Sequence, residues 1–194
     1  MREIANTGFW NGETAHNHHV HSENLSQWIY DFCIKKKIQS VTDFGCGLGE
    51  YLSKLSPIVA GAIGVEGSIP KEAKFNRITE LDLTTNLKED YFLSSDLVIS
   101  LEVGEHIPAE FMGVYLDNIT SHAKTYLITS WAVRGQAGFG HVNCLDNNEI
   151  VPEFEKRGFK LLEKETEKAR LIIEDKAHWF RNTLFIFKNN ALKA

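Results

Sequence analysis

The chain has 194 residues, 43% of them hydrophobic and 24% charged, which suits one compact domain spanning 1–194 better than two cramped ones. Its 21 basic and 26 acidic side chains leave a net charge of -5, and no like-charged block exceeds Lys35–Lys37, so a broad nucleic-acid surface is not expected. Cys33, Cys46 and Cys144 are widely spaced and odd in number, and no apolar run approaches the ~20 residues that cross a bilayer. A soluble, cytoplasmic protein without disulfides or membrane association is therefore expected.

Residues 1–21 read as an N-terminal arm or lid containing the cluster His16, His18, His19 and His21. Cysteines and carboxylates are missing from the usual ligand spacings around that cluster, and zinc there is not expected. The stretch SENLSQWIYDFCIKK predicts a helix with Ser22 as N-cap and Leu25, Trp28, Ile29 and Phe32 facing inward. QSVTDFG reads as a first strand. The glycines after it open a helix bearing Leu48, Leu52 and Leu55.

IVAGAIGVEG, ITELDL and SDLVISLEV follow as second, third and fourth strands, the last nearly all apolar, as a strand buried on both faces should be. KTYLITSWA, GFKLLEKE and NTLFIFKN supply a fifth, sixth and seventh. An inserted amphipathic helix over about 165–180 is expected between the last two, with Ala169, Ile172, Ile173 and Trp179 inward. Apolar strands alternating with helical patterns indicate an α/β sheet with crossover helices.

The chemistry concentrates at strand ends. Gly45, Gly47 and Gly49 form a glycine-rich turn between the first strand and its helix. The position where a dinucleotide fingerprint has its third glycine holds Glu50, and Asp43 precedes the turn. Two acids repel pyrophosphate but attract a ligand carrying an ammonium and a sulfonium, as S-adenosylmethionine does. Glu66 ends the second strand, where a carboxylate can accept both ribose hydroxyl protons. Asp82 follows the third, placed for the adenine amino group, with the Leu83 N–H available to the ring. Glu102, Glu105 and His106 stand at the end of the fourth strand, where the crevice of an open α/β sheet lies.

The segments VTDFGCGLG, GVEG, ELDL and SLEVGEHIP, in this order, make the chain resemble the class I S-adenosylmethionine-dependent methyltransferases, particularly the small-molecule and sugar type. The resemblance implies a Rossmann-like sheet of seven strands in the order 3-2-1-4-5-7-6, the last antiparallel, with helices on both faces. It also implies S-adenosyl-L-methionine as cofactor, held by Asp43, Gly45, Gly47, Gly49, Glu66 and Asp82; Leu83, through its N–H, and Glu102 are further expected cofactor-binding residues.

The motifs of exocyclic-amine, protein-arginine and metal-assisted catechol methylases are missing here, so a metal is not expected. The acceptor is expected to be a hydroxyl on a small molecule or the terminal sugar of a glycan. An amine, a carbon acid on a lipid or quinone, and an inactive cofactor-binding module remain as alternatives. His106 and His141, in the loops after the fourth and fifth strands, are the candidate general bases. His18, His19 and His21 stand behind them, and Trp131, Trp179 and Arg181 are candidates for the acceptor pocket.

Overall fold

The computed structural model describes residues 3–11 and 19–191, so His16 and His18 lie outside the described residues. Helix α1 (Glu23–Lys36) starts at Ser22, whose Oγ accepts the Leu25 N–H at 3.1 Å. It ends on Lys37 in the left-handed conformation (φ 57°), whose N–H returns to the Cys33 and Ile34 carbonyls. Strand β1 (Ser40–Phe44) then leads through the glycine turn into the short helix α2 (Glu50–Leu55). β2 (Gly61–Glu66), β3 (Ile78–Glu80) and β4 (Ser95–Ser100) follow. After α3 (Met112–His122) come β5 (Ala123–Ser130), α4 (Asn147–Glu155) and β6 (Phe159–Leu161). The chain closes with α5 (Glu163–Leu171), the single turn α6 (Phe180–Thr183) and β7 (Leu184–Asn189).

The strands form one sheet in the order β3-β2-β1-β4-β5-β7-β6, with β7 antiparallel to both neighbours, as the sequence reading expects. Successive strand residues face opposite sides. Leu97, Ile99, Ile128 and Ile186 join Leu25, Ile29, Phe32 and Leu52 in a core under α1, α2 and α5. Val98, Leu127, Phe185 and Phe187 join Tyr115, Ile119, Ile150 and Phe154 under α3 and α4. β1 pairs with β2 on one side and β4 on the other, so the strand order reverses beside Asp43 and the crevice opens at the carboxyl ends of these strands. Among the described residues, no helix is long and apolar enough to cross a membrane.

Several sequence expectations are corrected. β4 stops at Ser100 rather than running on to Val103, because Glu102 takes a left-handed backbone (φ 55°) and Gly104–His106 closes into a 3-10 turn. β3 ends before Asp82, which starts a turn by accepting the Thr84 N–H and hydroxyl at 2.9 and 2.7 Å. β6 spans three residues instead of eight.

The inserted helix begins at Glu163, earlier than expected, and breaks after Leu171. Glu174 then turns back to accept the Ser22 hydroxyl and the Glu23 N–H at 2.6 and 2.8 Å, so the chain leaves the helix to cap α1. Ile172, expected inward, is exposed in that break. Leu48 lies in the glycine turn rather than on α2 but is buried there.

Candidate functional site

A cavity of about 570 Å³ occupies the crevice and extends from the glycine turn to the loops after β4 and β5. At its first end, Gly45, Gly47 and Gly49 all have positive φ, which lets the chain fold back on itself: the Gly45 and Cys46 N–H groups both reach the Val65 carbonyl, at 2.8 and 3.1 Å. Gly45 and Gly47 line the cavity.

Glu66 ties this turn to β2. Its Oε2 accepts the Gly47 N–H and its Oε1 the Gly67 N–H, both at 2.8 Å. Burial raises the Glu66 pKa, while these backbone donors pull it back. Beneath lies Asp43, only 3% exposed and pushed up to about 8 by burial and by the charge of Glu66. Asp43 and Gly49 shape the turn from behind, whereas Glu66, Asp82 and Leu83 line the cavity itself. The 83–87 segment is held by Asn118 of α3. Its side chain donates to the Leu83 and Thr85 carbonyls and accepts the Leu87 N–H.

The opposite end is built after β4 and β5. Ser130 Oγ accepts the Glu102 N–H at 2.7 Å and donates to Glu102 Oε1 at 2.8 Å, which holds Glu102 in its left-handed conformation. Gln136 Nε2 reaches Glu102 Oε2 at 3.3 Å. Burial pushes Glu102 up to about 7, and burial together with the Glu102 charge drives Glu105 well above the carboxylate range.

His106 points its Nδ1 at the Gly140 carbonyl (3.1 Å) and is pushed down to about 4, by burial first and by His141 second. His141 points its Nδ1 at the Gln136 carbonyl (3.2 Å), and burial lowers it too. The two imidazole rings lie 5.0 Å apart, edge to face. The sequence-predicted histidines are thus brought together, 35 residues apart in the chain.

Residues 3–11 fold over the crevice as a small loop closed by a bridge between Ile4 and Trp10. Trp10 packs edge-on to His106 at 5.0 Å, and Phe9 covers Gly67 so closely that a Cβ there would lie 2.3 Å from its ring. His19 sits on Gly47, where a Cβ would meet its Nδ1 at 2.8 Å. His19 and His21 both approach Glu50 Oε2, at 3.5 and 3.8 Å, and Glu50 also pairs with Lys74. Burial lowers both histidines.

Of the aromatic candidates, Trp131 is a core residue that donates to the Asn143 carbonyl at 2.7 Å beneath Gly104. Trp179 lines the cavity. Arg181 braces the Ile173 carbonyl and Asp175 instead. Sequence reasoning missed Phe9, Trp10, Tyr51 and Gln136 as wall residues. An aromatic pair beside Gly8 was the visible signal for the first two, but periodicity cannot register a loop that folds back.

No protein-family model matches this chain, and no curated protein matches it in sequence. Solved structures do. The sugar N-methyltransferase KedS8 from Streptoalloteichus sp ATCC 53650 is similar at TM-score 0.63 and 13% identity, over 87% of each chain. CalS10 from Micromonospora echinaspora, an amino pentose methyltransferase with bound SAM, is similar at 0.62 and 12%, over 84% of this chain and 89% of that one. Magnesium protoporphyrin IX methyltransferase from Synechocystis PCC 6803 with bound SAH is similar at 0.59 and 16%, over 84% and 81%. The chain therefore has the Rossmann-like methyltransferase fold.

Proposed function

We propose that this chain is an S-adenosylmethionine-dependent methyltransferase acting on a hydroxyl of a small molecule or terminal sugar. The observation that carries the reading is the single cavity lined at one end by Gly45, Gly47, Glu66, Asp82 and Leu83 and at the other by Glu102, His106 and His141. Its size suits a cofactor with an acceptor beside it.

Glu66 accepts the Gly47 and Gly67 N–H groups, one at each oxygen, with the Ser68 N–H also directed at it, and its remaining lone-pair capacity is left for a ribose hydroxyl. Asp82 binds its turn through Oδ1, leaving Oδ2 for the adenine amino group. Glu66, together with Asp43 once the cofactor's positive charge draws off its proton, gives the cationic cofactor a complementary field.

In the transfer, an acceptor oxygen lone pair forms the bond to the methyl carbon as the carbon–sulfur bond breaks, its electron pair staying on sulfur. The hydroxyl proton leaves toward the histidine end of the cavity. The chain's main contribution is alignment in a site shielded from water by Phe9 and Trp10. A base as weak as His106 is poorly matched to removing a hydroxyl proton alone, so the proton passes to solvent by way of the half-exposed His141 beside it.

Amine methylation is the second reading, favoured by the structural likeness to the two amino-sugar enzymes. Calorimetry should give micromolar binding of S-adenosylmethionine or S-adenosylhomocysteine and none of NAD; equal affinity for NAD would overturn the cofactor assignment. Transfer of tritiated methyl to a panel of sugars, amino sugars, lipids and RNA then separates hydroxyl from amine acceptors. A protein that binds cofactor but labels nothing would be a binding module.

A further inference from the structure

We propose that Glu105, His106 and His141 form a binding site for one divalent transition-metal ion at the acceptor end of the cavity. One ligand atom from each of the three lies within 4.8 Å of the others. Glu105 is fully buried, and neither of its carboxyl oxygens makes a hydrogen bond of ordinary geometry among the described residues; the acid Glu102 and the Ala132 backbone stand beside it instead. A buried carboxyl beside a second acid has no salt-bridge partner among the described residues, so a positive group that would balance the pair remains to be supplied.

The histidines carry a second, independent mark. His106 and His141 each place Nδ1 on a backbone carbonyl, of Gly140 and Gln136 respectively, and a carbonyl can only accept. Both rings are thereby fixed as the neutral Nδ1–H tautomer, and both retain the Nε2 lone pair. This is the outer-shell arrangement that orients histidines toward a metal.

The set falls short of closed coordination by a small motion. Ligand atoms around a shared ion at bonds of about 2.0 to 2.2 Å sit roughly 3 to 3.5 Å apart, so the three groups have to draw together by about 1 to 2 Å. His141 is on the element able to move, because Gly135, Gly138 and Gly140 surround it in the loop after β5. Gly138 also lets the ring lie where it does: a Cβ at that position would fall 2.1 Å from His141 Nε2.

Two imidazoles with one carboxylate suit zinc, manganese, iron or cobalt, whereas magnesium and calcium prefer oxygen ligands throughout. The sequence reading expected no metal. It weighed the crowded histidines 16–21 and the oxygen-rich set of a catechol-type site, while this cluster combines one acid with histidines from two loops 35 residues apart.

The catalytic use of the ion rests on the hydroxyl-methylation reading. An acceptor hydroxyl bound at an open coordination position would become more acidic and release its proton to solvent before its oxygen takes the methyl group. This removes the need for a strongly basic histidine.

The test uses the full-length protein, stripped with chelator, dialysed, and titrated with Co²⁺ alone by calorimetry and visible spectroscopy. Wild type should bind one ion per chain with a spectrum of mixed nitrogen and oxygen ligation. Glu105→Gln, which keeps the shape of the side chain, and His141→Ala should each weaken binding by about 100-fold or more, beyond what loss of an outer-shell partner does. Their affinity for S-adenosylhomocysteine should stay at the wild-type value, which also reports that they fold. A variant with His16, His18, His19 and His21 all changed to Ala should retain the cobalt spectrum.

Equal cobalt affinity in wild type, Glu105→Gln and His141→Ala would overturn the proposal, as would loss of the spectrum only in the four-histidine variant. Cofactor binding without cobalt binding removes the metal site and leaves the methyltransferase reading intact; the reverse result removes that reading and leaves the metal site.

Discussion

Replacing Glu66 by Ala tests how far one carboxylate joins fold to cofactor. In the folded chain its two oxygens accept the Gly47 and Gly67 N–H groups at 2.8 Å, in a half-buried position. Hydrogen bonds to a charged group contribute about 1.5 to 3 kcal/mol each, and two that share one acceptor group add up to less than their sum. A loss of about 3 kcal/mol is therefore expected. At ~2 to 4 °C per kcal/mol for a domain of this size, the unfolding midpoint should fall by about 6 to 12 °C.

Under the proposed function, cofactor binding should lose a separate interaction, the ribose hydroxyls, again about 1.5 to 3 kcal/mol, or roughly 10- to 150-fold in Kd. Glu66→Gln should fall between wild type and Ala in stability, because its amide accepts one backbone N–H and opposes the other with its own. Calorimetry with S-adenosylhomocysteine, run well below the lowered midpoint, separates the two effects. Unchanged affinity in folded Glu66→Ala protein would refute the placement of the ribose at this carboxylate.

Asp43, pushed up to about 8, holds its proton more tightly in the folded chain than in the unfolded one. The stability it contributes is fully present below its ordinary pKa of 3.8 and fades as pH rises toward 8. Asp43→Asn should flatten the decline of the unfolding midpoint over that window, and cationic S-adenosylmethionine binding to wild type near pH 7 should release about one proton, read by calorimetry in buffers of different ionisation enthalpy. Asn118→Ala removes the three bonds holding the 83–87 segment and should cost about 2 to 3 kcal/mol in denaturant unfolding. Cofactor affinity should weaken with it. Gly8→Ala would put a Cβ 2.1 Å from the His106 carbonyl oxygen, so the 3–11 loop should lift while the sheet stays intact. The expected readout is faster protease cleavage near residue 11 with an unfolding midpoint close to wild type; a midpoint drop as large as that of Asn118→Ala would mean the loop belongs to the core.

The sheet was legible because buried parallel strands announce themselves: Leu97, Val98 and Ile99 feed both faces and have no polar alternation to disguise them. α3 was missed because Gly113, Asn118 and β-branched residues give it little intrinsic helicity. It stands on the packing of Tyr115, Leu116 and Ile119 and on the side-chain bonds of Asn118. α4 was missed because Pro152 reads as a breaker. A capping box between Asp146 and Glu149 starts that helix regardless.

At the site, the glycine turn and the strand-end acids were readable as local patterns. The fit of His141 against Gly138, the tautomers set by two carbonyls, and the covering of Gly67 by Phe9 depend on loops meeting across the crevice, which no spacing encodes.

The reversal of strand order beside β1 separates two tasks. On the side of β1, β2 and β3, backbone donors and acids converge from the glycine turn, Glu66 and Asp82, and their geometry follows from the strand ends themselves. On the side of β4 and β5, every group rests on irregular backbone: Glu102 at φ 55°, His106 in a 3-10 turn, His141 in a loop with three glycines. A left-handed backbone at a residue with a side chain costs about 1 to 2 kcal/mol, and here two bonds to Ser130 offset it. Strain retained at one end of a cavity and not required by the sheet marks where function has shaped the chain. The first side is a property of the fold, whereas the second, with Trp10 closing over it, belongs to this chain's own chemistry. A likeness in fold to the porphyrin, sugar and amino pentose methyltransferases therefore speaks for the first side alone, and under the proposed function the acceptor has to be read from Glu105, His106, His141 and the loop above them.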